Sequence, residues 1–174
     1  MQENFYNQIL SGMTKGFISG VLVSLKSFWY LWLLLFVVFI IKTTISLLRI
    51  YNIRKAGLPE IDKFSGTDFE IYMENLFNKL GYKVERVGKM ADYGADLLIE
   101  KDGVRTAVQA KRWNGPVNVK AIQEINTAMA HYNASKALAV TNSRFTYNAT
   151  RLARENHVEL IDRQKLASLI LQKK

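Results

Sequence analysis

The sequence predicts an α/β domain with a mixed sheet flanked by helices, preceded by one transmembrane helix. Two observations carry that expectation. An uncharged apolar run near the N-terminus has the length of a bilayer, and downstream of it helix-period and strand-period segments alternate around an Asp-Gly hairpin. The chain has 174 residues, room for one ordinary domain of roughly 100–150 residues plus an appendage.

The anchor comes first. Ser27 to Ile41 carries no charge, Leu31 to Ile41 is almost pure hydrocarbon, and apolar residues resume after Lys42 as far as Leu48. Phe28 to Leu48 therefore supplies the ~20 residues a spanning helix needs. Lys42 can extend its ammonium to the headgroups, while Trp29, Tyr30 and Trp32 form an aromatic belt at the other interface. A cleaved signal peptide fits less well, because the run starts too far in and lacks a small-residue cleavage site. A core or surface helix is disfavoured by its being apolar all round. Gly16 to Leu25 is too short to span, and suits an interfacial position or a lengthening of a tilted helix. Lys42, Arg49, Arg54 and Lys55 follow the span closely, which places the C-terminal domain of a single-pass inner-membrane protein in the cytoplasm. The expected organisation is an anchor region at 1–56, a linker at 57–66 opened by Gly57-Leu58-Pro59, and a domain at 67–174.

Within the domain, Phe69, Met73, Leu76, Phe77 and Leu80 recur at helical spacing, predicting a helix over Thr67 to Leu80 that Gly81 stops. Tyr82 to Val87 reads as a strand. Asp96 to Glu100 and Val104 to Lys111 read as two more, joined by a tight turn at Asp102-Gly103. A helix over Val119 to His131, a strand over Lys136 to Thr141, a helix over Tyr147 to Glu155, a strand over Val158 to Ile161 and a closing helix over Gln164 to Leu171 complete the set.

Charge and composition narrow the chemistry. There is no cysteine and there are two histidines, His131 and His157, so thiolate and all-histidine metal sites are excluded and a metal must be held mainly by oxygen. The net charge of +9 favours a polyanionic partner, DNA or anionic lipid. Residues 1–56 hold six Lys or Arg and one acid, a net +5, leaving +4 for the remainder.

The hairpin positions a candidate site. With Asp102 and Gly103 as the turn, Glu100 faces Arg105 and Asp96 faces Gln109, while Gln109 and Lys111 share one face of their strand. A carboxylate, an amide oxygen and an ammonium thus converge away from the turn, where they suit a divalent cation and a water beside a phosphate. A charged hairpin edge is the plainer reading of the same residues.

From Phe64 to Leu169 the sequence resembles the Mrr-like branch of the restriction-endonuclease superfamily, the PD-(D/E)xK fold. The resemblance rests on Phe69-Glu70, Gly94-Ala95-Asp96-Leu97, Gln109-Ala110-Lys111 followed by Arg112-Trp113, and Val140 to Thr146. It implies a restriction-endonuclease-like sheet and metal-dependent phosphodiester hydrolysis. The chain lacks the name-giving proline and has Gln109 where many relatives carry an acid, so the resemblance makes Glu70 the second carboxylate. Glu70, Asp96 and Gln109 would then hold Mg²⁺, or Mn²⁺, with Lys111 orienting water and stabilising developing charge. Gln123 is a candidate hydrogen-bond partner of the site. Arg112, Lys120 and Arg144 are candidates for phosphate contacts, and Trp113 for stacking. Asp92 reads as a loop residue or outer partner, and neither histidine is given a role. Two Asn-x-Ser/Thr sites, at Asn133 and Asn148, carry no weight in a cytoplasmic domain.

The expected function is a membrane-anchored, metal-dependent DNA endonuclease acting against foreign DNA, with DNA and the lipid bilayer as partners. A homodimer would supply the two sites that double-strand cleavage calls for. Two alternatives are a catalytically inactive, membrane-tethered nucleic-acid-binding or scaffold module, and a small lipid-binding membrane subunit.

Overall fold

The computed structural model describes residues 2–27, 29–87 and 93–172, and the chain divides into two compact units, Met1–Leu48 and Arg49–Lys174. Helix α1 spans Gln2–Ser27 and α2 spans Trp29–Lys55. The stretch Gly16 to Leu25, left without a spanning role by the sequence, lies inside α1. Trp29–Ile53 of α2 is long and apolar enough to cross a bilayer. Its side chains from Leu31 to Ile41 all stand exposed, so the helix presents hydrocarbon on every side instead of one stripe. Thr43 Oγ1 donates to Phe39 O at 2.8 Å and Thr44 Oγ1 to Ile40 O at 2.9 Å. Both hydroxyls are thereby satisfied within the helix, as a hydrocarbon environment requires.

The second unit begins inside α2. Arg49 Nη2 donates to both carboxylate oxygens of Asp68 at 2.6 and 2.8 Å, and Ile53 is buried in the core. Residues 57–66, expected as a linker, instead pack as part of this unit. They carry a short helix, α3 (Leu58–Ile61), and Ile61 is wholly buried with Phe69, Tyr72 and Met73. Leu58, Ile61 and Phe64 recur every three residues, a helical pattern too brief to stand out from the surrounding turn residues. Helix α4 (Gly66–Lys79) starts at Ser65, whose side chain accepts from Asp68 N at 3.1 Å, a capping box that Asp68 reciprocates.

The sheet has five strands in the order β1 (Lys83–Arg86), β2 (Leu97–Lys101), β3 (Val104–Lys111), β4 (Lys136–Thr141) and β5 (Val158–Ile161). The first three are antiparallel and the last two join in parallel, a mixed sheet as expected. Helices α5 (Val119–His131) and α6 (Tyr147–Glu155) are the crossovers, and α7 (Arg163–Gln172) closes the chain. Alternate residues of each strand feed two cores. Leu97, Ile99, Val108, Leu138 and Val140 pack with Phe69, Tyr72 and Leu76 of α4 and Leu166 of α7. Leu98, Ala107, Ala137 and Ala139 pack with Ile122, Ile125, Ala149 and Ala153 of the crossover helices. Small residues dominate that second layer, so α5 and α6 lie close against the sheet.

Replacing Ile61 by Ala should lower the unfolding free energy of the second unit by ~2–4 kcal/mol, the usual cost of truncating a core Ile. Chemical denaturation of the full chain in detergent measures it, and a linker residue would show under ~0.5 kcal/mol.

Candidate active site

The hairpin register holds. Leu97 pairs with Val108, Glu100 with Arg105 and Lys101 with Val104, and the turn residues Asp102 and Gly103 have φ of 53° and 76°, the left-handed pair that a tight primed turn needs. Asp96, one residue before β2, therefore stands opposite Gln109. Gln109 Nε2 donates to Asp96 Oδ2 at 2.6 Å, and Ala110 N donates to the same oxygen at 2.7 Å. Both side chains are buried, at 7% and 2% exposure. Gln109 Oε1 is also buried and has no hydrogen-bond partner among the described residues. An unmatched buried acceptor costs ~1–3 kcal/mol, and a hard-oxygen donor next to a buried carboxylate has the chemistry to hold a divalent cation such as Mg²⁺.

Lys111 lies two residues on, and its Nζ is 3.1 Å from Glu124 Oε2 on α5. Lys120 Nζ approaches the other oxygen, Oε1, at 3.9 Å. The same helix locks the Asp96 segment. Gly94 has φ +92° and a Cβ there would meet Glu124 O at 2.4 Å, so glycine alone allows that approach. Glu124 escaped the sequence reading because a charged helix residue ordinarily faces water. Its spacing of four from Lys120 was the available signal.

Among the described residues Glu70 is paired with Arg86, and no hydrogen bond or ion pair joins it to Asp96, Gln109 or Lys111. It accepts from Arg86 Nη2 at 3.0 Å, on the α4 side of the sheet, whereas Gln109 and Lys111 alternate with Val108 and Ala110 and face the α5 side. Among the described residues no group of three His, Cys, Asp or Glu is arranged to hold a metal. Arg112 turns inward: Nη2 donates to Asp62 O, and its Nε is buried without a partner among the described residues. Gln123 is exposed, its carbonyl accepting from Thr127 Oγ1. His131 stacks on Tyr93 with centroids 3.6 Å apart, away from any catalytic contact. Asp92 lies outside the described residues.

The remaining candidates gather at the loops beyond β3 and β4. Val117 bridges Phe145, with Val117 N donating to Arg144 O at 2.8 Å and Thr146 N to Val117 O at 2.9 Å. That pairing places Trp113, 61% exposed, beside Arg144 along a 470 Å³ cavity. Trp113 also borders a second cavity of 250 Å³ that Lys111 and Lys120 line. Under these loops runs a polar network absent from the sequence reading. Asp62 receives Arg163 at 2.6 and 2.8 Å and Asn142 Nδ2 at 2.9 Å, while Asn142 Oδ1 accepts Trp113 N at 2.8 Å. The Arg163 guanidinium holds the Asp62 carboxyl below the usual carboxylate range. Its stabilisation is present at neutral pH and is lost as pH falls through that depressed value.

Comparison with known proteins places this geometry in context. The Mrr_cat family, described as restriction endonuclease, matches residues 61–170. The type IV methyl-directed restriction enzyme EcoKMrr of Escherichia coli (strain K12) is 29% identical over 124 residues, 66% of this chain and 41% of that enzyme. The chain thus spans less than half the length of that relative. Among solved structures, the DNA modification-dependent restriction endonuclease AspBHI aligns with a TM-score of 0.52 at 20% identity, over 66% of this chain and 34% of its own. MspJI restriction endonuclease, in complex with a 27-mer oligonucleotide, aligns with a TM-score of 0.45 at 18% identity, over 59% and 27%. The AspBHI likeness shows the fold: a restriction-endonuclease-like mixed sheet flanked by helices.

The donor role of Gln109 generates a pH-dependent expectation. Gln109→Glu sets two carboxylates against each other in a buried site, which raises the pKa of one of them. The variant should be less stable than the parent by ~1–3 kcal/mol at pH 7.5. The deficit should shrink toward pH 5, because the folded state then binds the proton that restores a donor. Denaturant melts of both proteins at the two pH values measure the difference.

Proposed function

The chain belongs to the restriction endonuclease family of the Mrr type, and we propose that it is a restriction-endonuclease-like nuclease, a membrane-anchored DNA endonuclease dependent on a divalent metal. The observation that carries the metal site is the buried Asp96–Gln109 pair with its unpartnered Gln109 Oε1, beside Lys111 on the same strand face. Asp96 and Gln109 would hold Mg²⁺ or Mn²⁺. Bound there, the cation would polarise the scissile phosphate and lower the pKa of an attacking water.

The chain's own groups supply the rest. Lys111 exchanges its contact with Glu124 for the phosphate, and its ammonium stabilises the charge that develops as water attacks. Lys120 and Arg144, one on each cavity beside Trp113, would meet flanking phosphates. Glu70 stays with Arg86 in this arrangement and Arg112 with the Asp62 carbonyl, so neither is assigned a direct contact. Restriction of incoming DNA is the proposed setting, a reading supported by the name of the E. coli relative.

Membrane attachment rests on α2. Its apolar span, its aromatic residues Trp29, Tyr30 and Trp32 at one end, and Lys42 and Arg49 toward the other support a single-pass anchor with the second unit on the cytoplasmic side of the inner membrane.

Two experiments test this reading. In membrane fractionation the full chain should stay in the pellet through high-salt and alkaline washes; release by salt alone would replace the span with a basic surface attachment. In plasmid cleavage with Mg²⁺ or Mn²⁺ against EDTA, Asp96→Ala should abolish nicking while metal-free DNA binding persists. Lys111→Ala should lower kcat by about 100-fold or more. If both variants, folded by circular dichroism, cut as fast as the parent, the proposed site is wrong.

A further inference from the structure

Trp113 stands in solvent at the candidate site, and its backbone is held in place from below. Its backbone N–H is held by Asn142 Oδ1, itself anchored on Asp62. Trp113 lines the 250 Å³ cavity with the apolar Pro116, Val117 and Ala121 and with the charged Lys111, Lys120 and Glu124. The cavity is smaller than the ~300–1,000 Å³ typical of sites for drug-sized ligands, the size for one ring system. Glu124 also lines the cavity, 3.1 and 3.9 Å from the two lysines, so the phosphates assigned to Lys111 and Lys120 would be met outside it, and an anion inside would lie against a carboxylate. A neutral, flat heterocycle has no such conflict and matches an indole face, a proline ring and two aliphatic side chains.

We propose that this cavity is a subsite for a single unstacked nucleobase, and that the enzyme therefore prefers DNA with an unpaired nucleotide beside the bond it cuts. The proposal rests on the nuclease reading for its link to cleavage, but the binding itself does not. Within a closed duplex both faces of a base are covered by its neighbours, and only its edges reach a groove. Stacking on Trp113 requires a free face, and freeing one costs least where pairing is already lost. Every base has such a face, so the subsite tolerates any sequence.

The test uses the full chain in detergent with Trp29→Phe and Trp32→Phe, which leaves Trp113 as its sole tryptophan. Three probes are titrated in EDTA: a ten-nucleotide oligothymidylate, an abasic ten-unit strand with the same phosphates, and a ten-base-pair duplex. Oligothymidylate should quench Trp113 fluorescence and bind at least about tenfold more tightly than the abasic strand, the scale of one base–aromatic stack. In anisotropy titrations with end-labelled strands, Trp113→Ala should bind both equally with an unchanged salt slope, and Trp113→Phe should restore most of the preference. Truncating an exposed side chain leaves the fold intact, so loss of preference reports the stack. Equal binding of the two strands by the parent, a preference that survives Trp113→Ala, or tighter binding of the duplex than of oligothymidylate would overturn the proposal. Plasmid nicking with Mg²⁺ separates the two readings. Preference without nicking sinks the nuclease and keeps the subsite, whereas nicking without preference sinks the subsite alone.

Discussion

Asp102 and Gly103 both adopt left-handed backbone conformations, and the two-residue turn they make sets the register of β2 against β3. Because side chains alternate along a strand, a slip of one residue would move Gln109 and Lys111 to the α4 side and bring Val108 and Ala110 to the α5 side. Two separate cores oppose that slip. Leu97, Ile99 and Val108 are buried against α4 and α7, while Leu98 and Ala107 are buried against α5 and α6. The opposition of Asp96 and Gln109 follows from this register, as does the reach of Lys111 toward Glu124.

Most of the charged groups around the site are matched from within the domain, and Gln109 Oε1 is the exception on which the metal reading rests. Asp96 takes hydrogen bonds from Gln109 and Ala110, Lys111 is matched by Glu124, and Glu70 is matched by Arg86. Burial makes that matching necessary, since a charge taken out of water without a partner costs several kcal/mol. Gln109 is suited to this in a way that a glutamate is not. It donates to the Asp96 carboxylate and still keeps a buried oxygen available. A second acid at that position would leave two negative charges facing one another unless a cation or a proton lay between them.

Support for the loops comes from the network on Asp62. Its partners Asn142 and Arg163 are 80 and 101 residues away in sequence, and Asn142 in turn holds the backbone of Trp113. The segment between α2 and α4 thus behaves as a structural strut under the loops that carry Trp113 and Arg144. Hydrogen bonds to charged groups contribute ~1.5–3 kcal/mol where burial protects them. The half-exposed side chains of Asp62 and Arg163 place this pair below that range, nearer the ~0–1 kcal/mol of solvent-exposed ion pairs.

Local signals decided much of this protein. The apolar run from Leu31 to Ile41 marks a helix long and apolar enough to cross a bilayer, the Asp102-Gly103 turn fixes the hairpin and its 96–109 opposition, and β3, α5, β4, α6 and β5 fall on the residues that periodicity picks out. Each of those depends on neighbours a few residues apart, so each is legible in one dimension. What only the tertiary structure decided depends on which sheet face a helix covers. Glu70 lies on the α4 side and meets Arg86, Glu124 lies on α5 and meets Lys111, and Arg112 turns in toward Asp62 instead of out toward solvent. Ile61 reads as linker until α4 and the sheet close over it. Helix periodicity states which residues share a face, but the partner for that face is chosen by packing across the whole domain.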